Sequence, residues 1–202
     1  MTRVFICILL ALTTVAVTAA PKLTNVWKSP EVARLNFAGK KVAALVLTTN
    51  QSLQMSGEEA LARELTARGV GGVATYRIAP SEVLKNVETA KAWFEKVKVE
   101  GVVALRPVSL EKSKEASAIL WTSGYYPSFW GYYGYGWSNA YVPLSTRDVT
   151  TITVETLVYD ITRDQLVWAA ASNTRDPETL QEFIKDLVNA AVKEMRKAKL
   201  VG

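Results

Sequence analysis

Residues 149–172 read VTTITVETLVYDITRDQLVWAAAS, and no other stretch limits the fold as strongly. A β-branched, alternating run at 149–161 is followed, after the turn residues TRDQ, by a second apolar run at 166–172. Two such runs so close together pair antiparallel, as a hairpin. A helix is expected next. Asp176 can cap it and Pro177 can take its first position. Leu180, Phe183, Ile184, Leu187, Val188, Ala191, Val192 and Met195 then recur at three- and four-residue spacing. A sheet with a helix packed on it is the arrangement that buries both.

The upstream half alternates between the two periods. KKVAALVLT at 40–48 predicts a buried strand. SGEEALARELTARG at 56–69 predicts a helix, with Ser56 and Glu59 as a capping box and Glu64 and Arg68 one turn apart. GVATYRI at 72–78 alternates as a second strand. Val83, Val87, Ala90, Phe94 and Val97 give a helical stripe over roughly 81–97. VVALRPVSL then forms a third strand in which Pro107 marks an edge, a bulge or the end. The expectation is a single α/β (α+β) domain over 39–200, after an extended segment at 20–38. Its mixed five-stranded sheet runs in the order β-α-β-α-β-β-β-α.

Histidine is absent and the one cysteine, Cys7, lies in the leader. That removes Ser-His-Asp and Cys-His catalysis and the ordinary ligands of zinc, haem and iron–sulfur sites. No metal or cofactor is expected. Carboxylate, Lys or Tyr chemistry, or an oxygen-ligated hard cation, remains open, and the carboxylates to weigh are Glu155, Asp160 and Asp164 around the hairpin. On an extended strand Glu155 shares a face with Thr153, Leu157 and Tyr159, and it is expected to pair with Arg106 or Arg147.

Residues 1–19 read as a signal peptide: Arg3, an apolar run at 4–17, and Val17-Thr18-Ala19 as the cleavage site. An uncleaved signal anchor is the alternative. Cleavage leaves a periplasmic or secreted chain with no thiol. The net charge of +5 is spread along the sequence, so no nucleic-acid partner is expected.

Residues 116–146 carry no charge, and their centre reads SGYYPSFWGYYGYGWSNAYVP. Tyr125, Tyr126, Trp130, Tyr132, Tyr133, Tyr135 and Trp137 are the candidate binding residues. Tyr and Trp offer large rigid contact areas with a polar handle, and the interleaved glycines let the rings approach one another. An envelope protein, a glycan or the membrane interface is the expected partner. The other reading is that the loop folds back over the sheet and fills it.

The pattern GKKVAALVLT, SGEEALARELTARG, GVVALRPVSL, aromatic-Gly loop, TVETLVYDITRDQLVWAAASNT and closing helix resembles uncharacterised bacterial envelope proteins, mostly lipoproteins, that carry a domain of unknown function. More distantly it resembles the N-terminal domain of the Tol translocation protein and the penicillin-binding-protein activator lipoproteins. The resemblance implies an adaptor or binding domain that contacts other envelope components and has no catalytic residues. A carboxylate-dependent hydrolase or transferase of the envelope is the alternative. The missing lipobox cysteine implies a form without a lipid tether.

Overall fold

The computed structural model describes residues 21–31, 35–108, 120–140, 151–175 and 179–202. The leader, Tyr141, Arg147, Asp176 and Pro177 lie outside the described residues. Among the described residues, no helix is long and apolar enough to cross a membrane.

The strands are β1 (Lys22–Lys28), β2 (Lys41–Val46), β3 (Gly71–Ala74), β4 (Gly101–Val108), β5 (Thr151–Asp160) and β6 (Gln165–Arg175). The helices are α1 (Gln51–Thr66), α2 (Thr75–Ile78), α3 (Ser81–Leu84), α4 (Val87–Lys96), α5 (Phe129–Ser138) and α6 (Leu180–Lys197). One mixed sheet has the order β1-β6-β5-β4-β2-β3. β3, β2 and β4 are parallel, while β5, β6 and β1 add antiparallel.

The α/β class and the hairpin match the expectation, but the sheet has six strands rather than five. The extra strand, β1, lies in the segment read as merely extended. It pairs with β6, Lys22 opposite Asn173 and Lys28 opposite Trp168. An irregularity between Thr24 and Trp27, where Asn25 has φ 51°, breaks its alternation and hides it from a period-two reading.

Side chains of β2 alternate between two cores. Val42, Ala44 and Val46 meet α1 and α6, while Ala43, Leu45 and Leu47 meet α4 and α5. Helices therefore cover both faces of the sheet. Phe183, Ile184, Leu187, Val188, Ala191, Val192 and Met195 of α6 are buried, as their spacing requires. Thr179 caps this helix, accepting the Glu182 N–H at 3.1 Å. Pro107 sits past Leu105, the last β4 residue paired with β2, so its missing N–H costs no bond there.

Four boundaries differ from expectation. The start of α6, expected at Asp176 and Pro177, lies at Leu180 after the Thr179 cap. α1 begins at Gln51, one turn before Ser56, because Asn50 accepts the Leu53 N–H at 3.0 Å. Ser56 instead bonds back to the Ser52 carbonyl at 2.8 Å, and Glu59 pairs with Arg77 at 2.6 Å. The expected strand at 72–78 ends at Ala74, and a helical turn follows. The helix expected at 81–97 is interrupted at Lys85 and restarts where Asn86 accepts the Thr89 N–H at 3.1 Å.

Candidate functional site

The aromatic segment is a helix rather than a loop over most of its described length. Gly131, Gly134 and Gly136 each weaken a helix by about 1 kcal/mol relative to Ala. Capping and burial offset this. The Ser128 hydroxyl accepts the Gly131 N–H at 3.1 Å and donates to the Asp164 carboxylate at 2.7 Å. Asp164 also accepts the Trp130 N–H at 3.1 Å. A carboxylate from the β5–β6 turn thus sits at the positive end of α5. Gly136 lets the helix close on the sheet, since a Cβ there would lie 2.5 Å from Leu47 Cδ1.

The seven candidate rings divide by burial. Tyr126, Tyr132 and Tyr133 are buried, as are Trp121 and Phe129. Tyr125, Trp130, Tyr135 and Trp137 are half-buried. Tyr133 had been expected on the contact surface, but it is 0% exposed and packs on Phe94, Phe129 and Trp130. The half-buried rings lie on two flanks of α5. Tyr135 stacks on Tyr125 at 3.5 Å on one flank, while Trp130 and Trp137 lie beside Tyr133 on the other.

Beneath the first flank lies a buried polar cluster. Arg106 and Glu155 stand opposite each other across β4 and β5. The guanidinium donates two hydrogen bonds to one carboxylate oxygen, at 2.7 and 3.0 Å. Tyr126 donates to the other oxygen at 2.7 Å. The guanidinium lies 5.0 Å from the Tyr135 ring centre and 5.7 Å from that of Tyr132. Arg106 is therefore the partner the structure gives Glu155, while Arg147 lies outside the described residues. Burial, and for Tyr126 the facing Glu155, pushes the phenols of Tyr126, Tyr132 and Tyr159 well above their usual range. They stay protonated and act as donors. With Arg106 and Glu155 only 2% and 5% exposed, the cluster holds strands and helix together out of reach of a ligand.

The second flank borders an open crevice of about 660 Å³. Topology explains its position. The chain leaves β2 towards α1 on one face of the sheet, and it leaves β3 towards α3 and α4 on the other. Where neighbouring parallel strands send their connections to opposite faces, a gap opens beyond their C-terminal ends, and open α/β sheets bind ligands there. Thr48 and Gln54 line it from the β2 side, Ser81 and Lys85 from α3, and Trp137 and Ser138 from α5. Tyr133 buttresses Trp137 edge-on at 6.3 Å and donates its hydroxyl to the Leu84 carbonyl, tying α5 to α3 along one wall.

A second buried glutamate sits behind the crevice. Glu58 is 0% exposed and joins three elements. It accepts the Val46 N–H at 3.2 Å, the Tyr76 N–H at 2.7 Å and the Gln54 amide at 3.1 Å. Burial raises its pKa from 4.5 to about 7, outweighing those donors. The Thr75 hydroxyl, 3.1 Å from the Ala44 carbonyl, also reaches Glu58, and that contact lowers the carboxyl pKa by less than burial raises it. Glu58 also satisfies the Tyr76 N–H in the first turn of α2. Glu58 carries no sequence signal of its own, because SGEE has the form of a helix start, where glutamates face water.

No family model matches this chain. No curated protein matches it either. Among solved structures, the chain is similar to a PelC dodecamer from Paraburkholderia phytofirmans, at 14% identity and TM-score 0.47, covering 89% of this chain and 98% of that one. A point-substituted PelC dodecamer from the same organism gives 14% identity and TM-score 0.47, covering 84% and 94%. The resemblance to lipoproteins, the Tol domain and activator proteins rests on the quoted sequence pattern alone. Among the described residues, no group of three Asp, Glu, His or Cys is placed to hold a metal ion.

Proposed function

We propose that this chain is an exported, non-enzymatic binding domain of the cell envelope, and that the crevice at the ends of β2 and β3 is its ligand site. The observation that carries the reading is the contrast between the two flanks of α5. One closes over a satisfied ion pair, while the other presents a fixed indole and several polar side chains to an open volume. The volume falls within the range of about 300–1,000 Å³ typical of small-ligand sites.

The crevice suits binding better than hydrolysis. Glycosidic cleavage by carboxylates needs two carboxyl groups facing the substrate. Glu82 is the one carboxylate among the described lining residues, and Lys85 lies 3.4 Å from it. Glu58 is enclosed behind Gln54 and does not line the crevice.

The test is a substitution that fills the site from outside. Ser138 is exposed and lines the crevice, so Ser138→Trp places a bulky ring there without entering the core. Fractionated envelope polysaccharide, peptidoglycan and protein would be passed over immobilised wild type and variant. One fraction retained by wild type and lost by the variant, at unchanged melting temperature, is the expected result. Equal retention of every fraction rejects the crevice as the site.

A further inference from the structure

Resting on that reading of the crevice, we propose that its ligand is an uncharged oligosaccharide, with Trp137 as the stacking face and Gln54, Ser81 and Ser138 as hydrogen-bonding groups. The lining itself points to this class. Its described side chains are mostly hydroxyls and amides, from Thr48, Thr49, Gln51, Gln54, Ser81 and Ser138. Sugars carry neighbouring hydroxyls that both donate and accept, and such neutral groups match them without charge.

The charges and apolar groups present argue against other classes. Glu82 and Lys85 lie on the same wall, 3.4 Å apart, and cancel. A phosphate or polyanion would meet one partly neutralised lysine, and a polycation would meet one partly neutralised glutamate. Trp137 and Ala140 are the only predominantly apolar side chains among the described lining residues, too few to enclose a lipid tail. A single indole among polar groups fits the C–H face of a sugar ring, which stacks on aromatic faces while its hydroxyls bond outward.

Gln54 is the most informative member. It is only 5% exposed, yet it lines the crevice. Its amide nitrogen is held by Glu58 at 3.1 Å, which fixes the side chain. The carbonyl oxygen of that fixed amide, on a residue that lines an open volume, is suited to accept from a hydroxyl. Trp137 is fixed in a similar way, by Tyr133. Both contacts are therefore pre-organised, which lowers the entropy lost on binding.

Calorimetric titration of the mature chain would use cellotetraose, maltotetraose and tetra-N-acetylchitotetraose as neutral probes. Tetragalacturonate and tetraglucosamine would serve as charged probes. At least one neutral tetrasaccharide should bind in the millimolar range or tighter. Trp137→Ala should weaken it about tenfold, and Trp137→Phe should lose less. Asp186→Asn, on α6 and outside the crevice, should leave it within about twofold. Melting temperatures of the variants control for folding. A Gln54→Met variant checks the acceptor independently of the indole and should also bind more weakly. Failure of every neutral probe overturns the proposal, as does preference for a charged probe or affinity unchanged in Trp137→Ala and Gln54→Met. If no neutral probe competes for an envelope fraction whose retention Ser138→Trp abolishes, the sugar class is wrong and the crevice stands. If no fraction depends on the crevice, both readings fall together.

Discussion

Glu155 and Glu58 are both buried in this fold, and they solve the problem of a buried carboxyl in opposite ways. Glu155 faces Arg106 across two strands, accepts a phenol, and lies under α5. Glu58 makes no ion pair among the described residues, relies on backbone and amide donors, and sits where the sheet opens into the crevice. The first is a charge neutralised by a charge. The second is a carboxyl whose proton is held up to about pH 7 by burial. Glu155 is enclosed with a fixed ionic partner, while Glu58 is held by two backbone N–H groups and by Gln54, which also lines the crevice.

The largest expected effect comes from breaking the Arg106–Glu155 pair on one side. Glu155→Leu leaves a buried guanidinium unmatched and a Tyr126 hydroxyl without its acceptor. It should cost about 3–5 kcal/mol in urea unfolding. The double variant Arg106→Met, Glu155→Leu should lose less than either single variant, because no charge is left stranded. A double variant as unstable as the sum of the two singles would mean no coupling between Arg106 and Glu155, and would contradict this account of the pair.

Glu58 should reveal itself through pH. The native state keeps its proton between about 4.5 and 7, where the unfolded chain has released it. Folding therefore takes up a proton in that window, so stability falls as pH rises through it and levels off above. The contribution is about 3 kcal/mol at most. Glu58→Gln keeps the neutral form at every pH and should remove that part of the slope. Urea titrations at pH 5 and pH 8, wild type against variant, read the difference. An identical pH profile in both would mean that Glu58 titrates normally.

Smaller effects come from α5. Gly136→Ala drives a Cβ towards Leu47 and should cost about 1–3 kcal/mol. Ser128→Ala removes the cap and should cost about 1 kcal/mol. Both are read from thermal melts, and neither should alter the pH slope assigned to Glu58. If either does, the two regions are coupled and the contrast between them fails.

Legibility in the sequence followed the same division. α6 and the hairpin were readable because each repeats its apolar period without interruption. An arginine partner for Glu155 was readable from its place on a strand, but Arg106 and Arg147 were equal candidates until the register set Arg106 opposite it. α5 was not readable as a helix. Its glycines speak against one, and the reasons for its helicity lie elsewhere in the chain, in Asp164 at the hairpin turn and Leu47 on β2. β1 was hidden by its irregular register. The crevice could not be read because it arises from the order of strands, which brings residues near 48, 81 and 137 together. The aromatic rings stood out in the sequence only as a group, because composition could not separate buried Tyr132 and Tyr133 from half-buried Trp137.

The most direct measurement is chemical-shift mapping on the mature, isotope-labelled chain during titration with whichever envelope fraction it retains. The account predicts perturbations at Thr48, Gln54, Ser81, Lys85, Ser138 and the Trp137 indole, with Tyr126 and Glu155 unmoved. Perturbations centred on Tyr125 and Tyr135, with the crevice residues silent, would contradict it.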